Sequence, residues 1–460
     1  MDKDYIIEQL EKRYIEPTKK KRESYIGVEI EMPIVNLNKE AVDFSVVHSV
    51  ADEFIAHFGF SPCGIDDEGF IYSAENDENG DILSFDCSYN NLELSFGKEK
   101  NLLAVDERFH IYVKYLSERF KPYNYTLTGM GINPYRKYNR NVPIQNGRYR
   151  MLFHHLHTYK RYHLPMYFHH YPEYGTFSSA SQVQLDVDYD RLPVTINAFT
   201  KLEPIKALLF NNSVLLGEDE DLYCCRDMFW ENSTHGINPH NIGMFDCEIG
   251  SQEELLEYIA STSIYCAERG EKYINFPPIN IVKYLKSEKI TGEYFDGEKY
   301  STIEFKPEID DLKYLRTFKF EDLTFRGTIE FRSVCCQPFG SAMSAAAFHI
   351  GLMDNVEKLD EILRNDRVLY HNGYNASELR KMFVHSKIPD FIDKDALYEL
   401  AERILDLSKA GLISRGLGEE KFLAPLYTRI TKRTNPAGNL FSELSNGHSL
   451  EDVILEYSRI

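Results

Sequence analysis

Hydrophobic and polar positions alternate without a break in several short stretches of this chain, and the alternation predicts strands with two unlike faces. In Gly27-Val28-Glu29-Ile30-Glu31 and Thr328-Ile329-Glu330-Phe331-Arg332 the charged side chains share one face, while Val28, Ile30, Ile329 and Phe331 point to the other. Phe85-Asp86-Cys87-Ser88 leads into a third such stretch, Leu92-Glu93-Leu94-Ser95, and Ser181-Gln182-Val183-Gln184-Leu185-Asp186-Val187-Asp188 makes a fourth. Carboxylates two residues apart on a strand sit roughly 7 Å from each other and repel by about 2 kcal/mol at an effective dielectric of about 20. A divalent cation would turn that repulsion into a site. One such strand alone reads as a half-buried strand with its charged face in water; four of them predict strands lining a common acidic cavity.

Between these stretches the apolar period changes to that of a helix. Val46, Val47, Val50, Phe54 and Phe58 form one stripe, and Leu102, Leu103, Phe109, Tyr112 and Leu116 another. Pro193 to Phe210 and Leu255 to Cys266 are also predicted helical. Toward the C-terminus, 394–460 reads as largely helical: one helix from Ala396 to Ala410 stopping near Gly411, then Glu419 to Lys432, with a break around Asn435-Pro436. Grouped strands with helices between them predict an α+β fold built on an antiparallel sheet. No repeat, low-complexity tract or linker divides the chain, so 1–460 is read as a single domain.

Charge narrows the function classes. With 72 acidic against 52 basic side chains, the formal net charge is −20, which argues against a nucleic-acid surface, where Lys and Arg must neutralise phosphates. The N-terminal residues lack the basic stretch and apolar run of a secretory signal, and Gly340 to Met353, the least charged segment, is too short to span a bilayer. A cytoplasmic protein without a membrane partner is expected, with its eight cysteines mostly reduced and buried. Neither G-x-x-x-x-G-K-[ST] nor G-x-G-x-x-G occurs, so a nucleotide would have to be held through metal ions and arginines. Arg148, Arg150, Arg226 and Arg332 are the candidates, and Arg332 stands out because its strand places it on the face of Glu330.

Taken in order, these segments resemble the plant and proteobacterial type of glutamate–cysteine ligase, which has the glutamine-synthetase-like catalytic fold. The resemblance runs from about Tyr25 to Glu456. It rests on Gly27-Val28-Glu29-Ile30-Glu31, Met130-Gly131-Ile132-Asn133-Pro134, Gly147-Arg148-Tyr149, Gln182-Val183-Gln184-Leu185-Asp186, Leu209-Phe210-Asn211-Asn212-Ser213, Arg226 with Trp230, Ile329-Glu330-Phe331-Arg332, and the tail through Thr434-Asn435-Pro436-Ala437. It implies a funnel of antiparallel strands with helices packed outside, ATP as co-substrate and Mg²⁺ as cofactor. Matched by position, Glu31, Glu93 and Glu330 resemble one metal group, and Glu29, Asp86 and Gln182 another. Arg332, with Glu330, resembles the catalytic residue that meets the transferred phosphoryl group, Arg226 the ligand of a substrate carboxylate, and Trp230, Arg148 and Tyr149 further substrate contacts. The implied reaction joins L-glutamate to an amine through γ-glutamyl phosphate, with L-cysteine the leading acceptor.

Two departures concern the acceptor. Where the family has a Glu-Pro-Gly-Gly-Gln run before the third carboxylate, this chain reads Asp86-Cys87-Ser88-Tyr89-Asn90-Asn91. Between Gly147-Arg148-Tyr149 and Gln182 the segment is longer than the family's and, over 153–171, crowded with histidines and aromatics; its spacings match no common zinc pattern, and we read it as a reshaped wall of the acceptor pocket. A γ-glutamyl ligase for a different amine therefore remains an alternative, as does a non-catalytic ATP- and metal-binding relative. Apart from the resemblance, a two-carboxylate glycoside hydrolase also fits an acidic cleft.

Overall fold

The computed structural model describes residues 1–460. The strands are, in chain order, β1 (Ile26–Asn36), β2 (Phe60–Ile65), β3 (Ile71–Asn76), β4 (Ile82–Phe85), β5 (Asn91–Glu99), β6 (Tyr125–Leu127), β7 (Ser181–Asp186), β8 (Ile242–Gly243), β9 (Ser263–Arg269), β10 (Lys272–Asn280), β11 (Ile290–Phe295), β12 (Tyr300–Phe305), β13 (Phe318–Lys319), β14 (Glu321–Leu323) and β15 (Thr328–Phe331). Nine of them form an open antiparallel sheet in the order β14-β15-β7-β1-β5-β4-β3-β2, with β6 added to the end of β1. A second antiparallel sheet runs β12-β11-β10-β9, and β13 pairs with β8 in parallel. The architecture is the α+β class expected from the grouped strands.

Register explains why the large sheet has one polar and one apolar face. Residues opposite each other in a ladder share a face, so three polar rungs cross it. The first runs Ser73–Ser84–Glu93–Glu31, the second Ser95–Glu29–Gln182, and the third Gln184–Glu330–Asp322. The other face carries Val28, Ile30, Leu83, Leu94, Val183, Ile329 and Phe331, all buried. Helices cover it: Phe331 packs on Phe199 of the helix Leu192–Phe210, with ring centres 4.4 Å apart, and on His349 of the helix Ser344–Met353 at 4.5 Å. Farther along, the helices Phe44–Phe58 and Leu102–Phe120 close the same face. The first is delimited by the side chain of Asp43 at its start and by Gly59, at φ +68°, at its end.

Three boundaries differ from the sequence expectation, each for a local reason. Leu255–Cys266 splits into a helix, Gln252–Ser261, and the start of β9, where Ser263-Ile264-Tyr265 brings β-branched and aromatic side chains to a sheet. Gly411 does not end its helix, which continues from Lys394 to Arg415 and stops at Gly416 in the left-handed region. Gly411 instead marks a close crossing: a Cβ there would lie 2.1 Å from the carbonyl oxygen of Gly351. The strand expected at Phe85–Ser88 ends at Phe85, and Cys87, at φ +64°, turns the chain toward β5. All eight cysteines are free thiols, six of them buried, with Cys63 and Cys247 exposed. No helix is long and apolar enough to cross a membrane.

Candidate active site

The polar face of the large sheet is the floor of a cavity of about 710 Å³, a size usual for ligand sites of roughly 300–1,000 Å³. Glu29, Glu31, Asp86, Glu93, Gln182, Glu330, Arg148, Tyr149, Arg226, Trp230 and Arg332 all line it. Four segments spread over about three hundred residues of the chain thus converge as the strand pattern anticipated, although Arg150 does not and pairs with Asp67 instead.

The carboxylates cluster differently from the expected grouping. Ligand oxygens of Glu31, Asp86 and Glu93 lie within 4.8 Å of one another. Glu31 and Glu93 are neighbours on paired strands, and the turn at Cys87 brings in Asp86, so Asp86 takes the place expected of Glu330. Glu330, two rungs away, binds Arg332 at 2.7 Å. Gln182 donates its amide to Glu31 at 2.9 Å, which leaves its Oε1 buried without a partner. Gln184 also donates its amide to Glu29, at 2.9 Å, but its Oε1 accepts from Arg326 at 2.6 Å.

Burial, followed by the charges of Asp86 and Glu93, raises the Glu31 carboxyl from its ordinary 4.5 to about 8. Glu93 rises to about 7 through burial and Asp86, against opposing hydrogen bonds from Ser95 and Ser84. Glu29 is pushed well up by burial, Glu330 and Glu93, and Asp86 is raised by burial although Arg148 and Arg332 oppose it. Burial and the crowding of like charges account for the common direction of these shifts. The three grouped side chains offer carboxylate oxygens, and the orphaned Gln182 Oε1 adds another oxygen donor. The set fits a hard divalent ion of the magnesium type.

Guanidinium groups form the opposite side of the electrostatics. Arg226, on the short helix Cys225–Glu231, is buried, makes only a 3.4 Å contact to the Ser333 carbonyl and leaves Nε unpartnered. It has no carboxylate partner; the ion pair beside it is made by its neighbour Asp227, which pairs with Arg380 at 2.6 Å. Arg148, exposed at the cavity, lies beside Asp86 and over the Tyr149 ring without an ion pair. A buried, unpaired guanidinium such as that of Arg226 calls for an anionic ligand. Trp230 stacks on Phe318 at 4.6 Å and meets Tyr174 edge-on, giving this end of the cavity an aromatic wall.

The sequence reading did not single out Arg13, Arg316, Arg326 or Asp322, which also line the cavity. Asp322 sits opposite Glu330 in the β14–β15 hairpin, and burial raises its carboxyl to about 6. The Phe325-Arg326-Gly327 turn between those strands, with Gly327 at φ +76°, was a signal that would have located Asp322 and Arg326. The histidine-rich segment spends its rings elsewhere. His154 pairs with Glu293, His155 stacks on Tyr265 at 4.2 Å, and His169 bonds the Phe229 carbonyl. The turn replacing the Glu-Pro-Gly-Gly-Gln run is used structurally, with Asn90 bonded to the Arg140 carbonyl and Asn91 to Ser178 and Ser179.

No protein-family model matches the chain. It is 24% identical over 269 residues to the chloroplastic glutamate–cysteine ligase A of Oryza sativa subsp. indica, covering 56% of this chain and 51% of that one. It is 26% identical over 282 residues to the chloroplastic glutamate–cysteine ligase of Arabidopsis thaliana, covering 58% and 49%. The chain therefore spans about half the length of the curated relatives it matches. Among solved structures, the fold is similar to that of the Francisella tularensis glutamate–cysteine ligase crystallised with AMP, with a TM-score of 0.51 at 12% identity over 96% of this chain and 88% of that one. The chain is glutamate–cysteine ligase-like in sequence and in fold.

Proposed function

We propose that this protein is an ATP-dependent ligase that joins the γ-carboxyl group of L-glutamate to an amine, with L-cysteine the leading acceptor. One observation carries the reading: a carboxylate cluster fit for hard cations and two unpaired arginines, Arg148 and Arg226, line the same cavity as the Glu330–Arg332 pair. That combination suits a polyanionic nucleotide and an anionic donor together. It suits a hydrolase poorly, since a glycosidic bond needs no cluster of guanidinium groups.

Glu29, Glu31, Asp86, Glu93, Gln182 and Glu330 would hold Mg²⁺. When bound, it would neutralise phosphate charge and allow one anion to approach another. Arg226 holds a carboxylate of the donor by its planar fork, next to Trp230, and Arg148 with Tyr149 completes that end. The donor γ-carboxylate oxygen attacks the terminal phosphorus of ATP and ADP leaves. Arg332 stabilises the charge spread over the phosphoryl oxygens in this loose transition state. The acceptor nitrogen then attacks the acyl carbon, phosphate departs and the nitrogen loses a proton. Tyr174, Trp230, His235, Tyr265 and Phe318 restrict water at the acyl phosphate, which would otherwise hydrolyse.

A different amine is the second reading, favoured by the Asp86–Asn91 turn and by the buried His235 in the aromatic wall. Burial lowers His235 to about 3, so that wall presents a neutral ring rather than a cation. The test is ADP release from ATP and Mg²⁺ with L-glutamate and a panel of amines including L-cysteine. The proposal expects release that depends on both glutamate and an amine. Turnover with none of the amines, by protein shown to be folded, would favour a non-catalytic binding protein.

A further inference from the structure

Behind Arg226 lies a buried charged network that the reaction does not touch. Arg380, on the helix Ala376–Phe383, places Nε 2.6 Å from Asp227 Oδ2 and Nη2 3.1 Å from Asp227 Oδ1, a two-pronged grip. Its Nη1 lies 2.5 Å from Glu203 Oε2, and Glu203 is further held by Lys206 and by the Ser333 hydroxyl at 3.0 Å. Arg226 and Arg380 both reach the carbonyl of Ser333, which directly follows Arg332. The network thus ties together the two chain segments that carry Arg226 and Arg332.

Its arrangement has a specific electrostatic consequence. Asp227 is the residue after Arg226, lines the same end of the cavity and, after Cys335, Glu31 and Cys224, is among the charges that stabilise the Arg226 cation through space. A buried carboxylate without a partner seeks the unpaired cation beside it, because leaving both uncompensated is costly. Asp227 does not capture Arg226, since Arg380 occupies both of its oxygens. We propose that Arg380 is a positioning residue for donor recognition, holding Asp227 away from Arg226 and so keeping Arg226 free to bind a substrate carboxylate. The proposal rests on the assignment of Arg226 to the donor.

Calorimetric affinities for L-glutamate, and separately for a non-hydrolysable ATP analogue with Mg²⁺, test it on the full chain. Arg226→Lys serves as reference and should weaken glutamate alone. Arg380→Lys keeps the charge but cannot grip two oxygens and Glu203 together, so glutamate affinity should fall about ten-fold, with the nucleotide unaffected. Adding Asp227→Asn removes the competing charge and should restore glutamate affinity to within about three-fold of the parent. Restoration by a second substitution is what a merely structural role would not give. If Arg380→Lys does not fold, Asp227→Asn alone decides: near-parental glutamate affinity supports the proposal, and a loss equal to that of Arg226→Lys overturns it. A double variant that stays weak, or equal losses for both ligands, also overturns it. If Arg226→Lys weakens glutamate while Arg380→Lys does not, this inference fails and the donor assignment stands. If the parent binds no glutamate, or Arg226→Lys changes nothing, the donor assignment fails and this inference with it.

Discussion

Lowering the pH should weaken the binding of the divalent cation proposed for the cavity. Each carboxylate must shed its proton before it can accept a metal ion, and each pH unit below its pKa weakens apparent affinity by about a factor of ten. Glu31 sits at about 8 and Glu93 at about 7 in the metal-free site, both from burial and the crowding of like charges around Asp86. At about pH 6.5, Glu31 alone weakens binding roughly thirty-fold and Glu93 about four-fold, whereas at about pH 8.5 neither matters much. The two together predict roughly a hundred-fold tighter binding at the higher pH. Mn²⁺, which takes the same hard oxygen ligands, gives a spectroscopic signal for the titration. Glu31→Gln removes the group with the higher value and should weaken binding overall while shrinking the pH dependence to about four-fold. Calorimetry in buffers of differing ionisation enthalpy should report protons released on binding. An affinity flat across this range, or binding without proton release, would refute the assignment of these carboxylates as a common metal site.

Without metal the same groups should make the protein lose stability as pH rises. Their folded values of about 8 and about 7 exceed the ordinary 4.5, so the stabilisation is fully present below 4.5 and lost as pH climbs through 7 and 8. Thermal unfolding with a chelator should show Tm falling over that window and Mg²⁺ opposing the fall; a chelated protein with constant Tm would contradict the shifts. Arg332→Ala should lower kcat by roughly two to three powers of ten with folding retained, the scale of one lost transition-state charge contact, and normal turnover would remove its phosphoryl role. Glu330→Gln should weaken metal binding without loss of fold, checked by the Mn²⁺ titration beside circular dichroism. Gly411→Ala should destabilise by about 1–3 kcal/mol, because the added methyl meets the Gly351 carbonyl across the helix crossing; urea unfolding measures it, and an unchanged midpoint would rule out that close approach.

What the chain determines by itself is the two-faced character of its strands. The alternation of Glu29 and Glu31 with Val28 and Ile30, and of Glu330 and Arg332 with Ile329 and Phe331, is a property of sequence period and strand geometry alone. It was enough to anticipate an acidic face on an antiparallel sheet with Glu29, Glu31 and Glu330 on it. Which carboxylates meet was not readable there, because neighbours across a sheet are set by register and turns. Glu31 faces Glu93 because β1 and β5 pair at that offset, and Asp86 joins them only because Cys87 takes a left-handed conformation that no period announces. Glycine shows the same division. At Gly411 the sequence signals a helix end equally well as a helix crossing, and only the partner helix, 60 residues back at Gly351, selects the second. Nor does the sequence say whether a buried arginine is paired: Arg226 and Arg380 look alike in the chain. It took the fold to place Asp227 and Glu203 around one of them and leave the other open to the cavity.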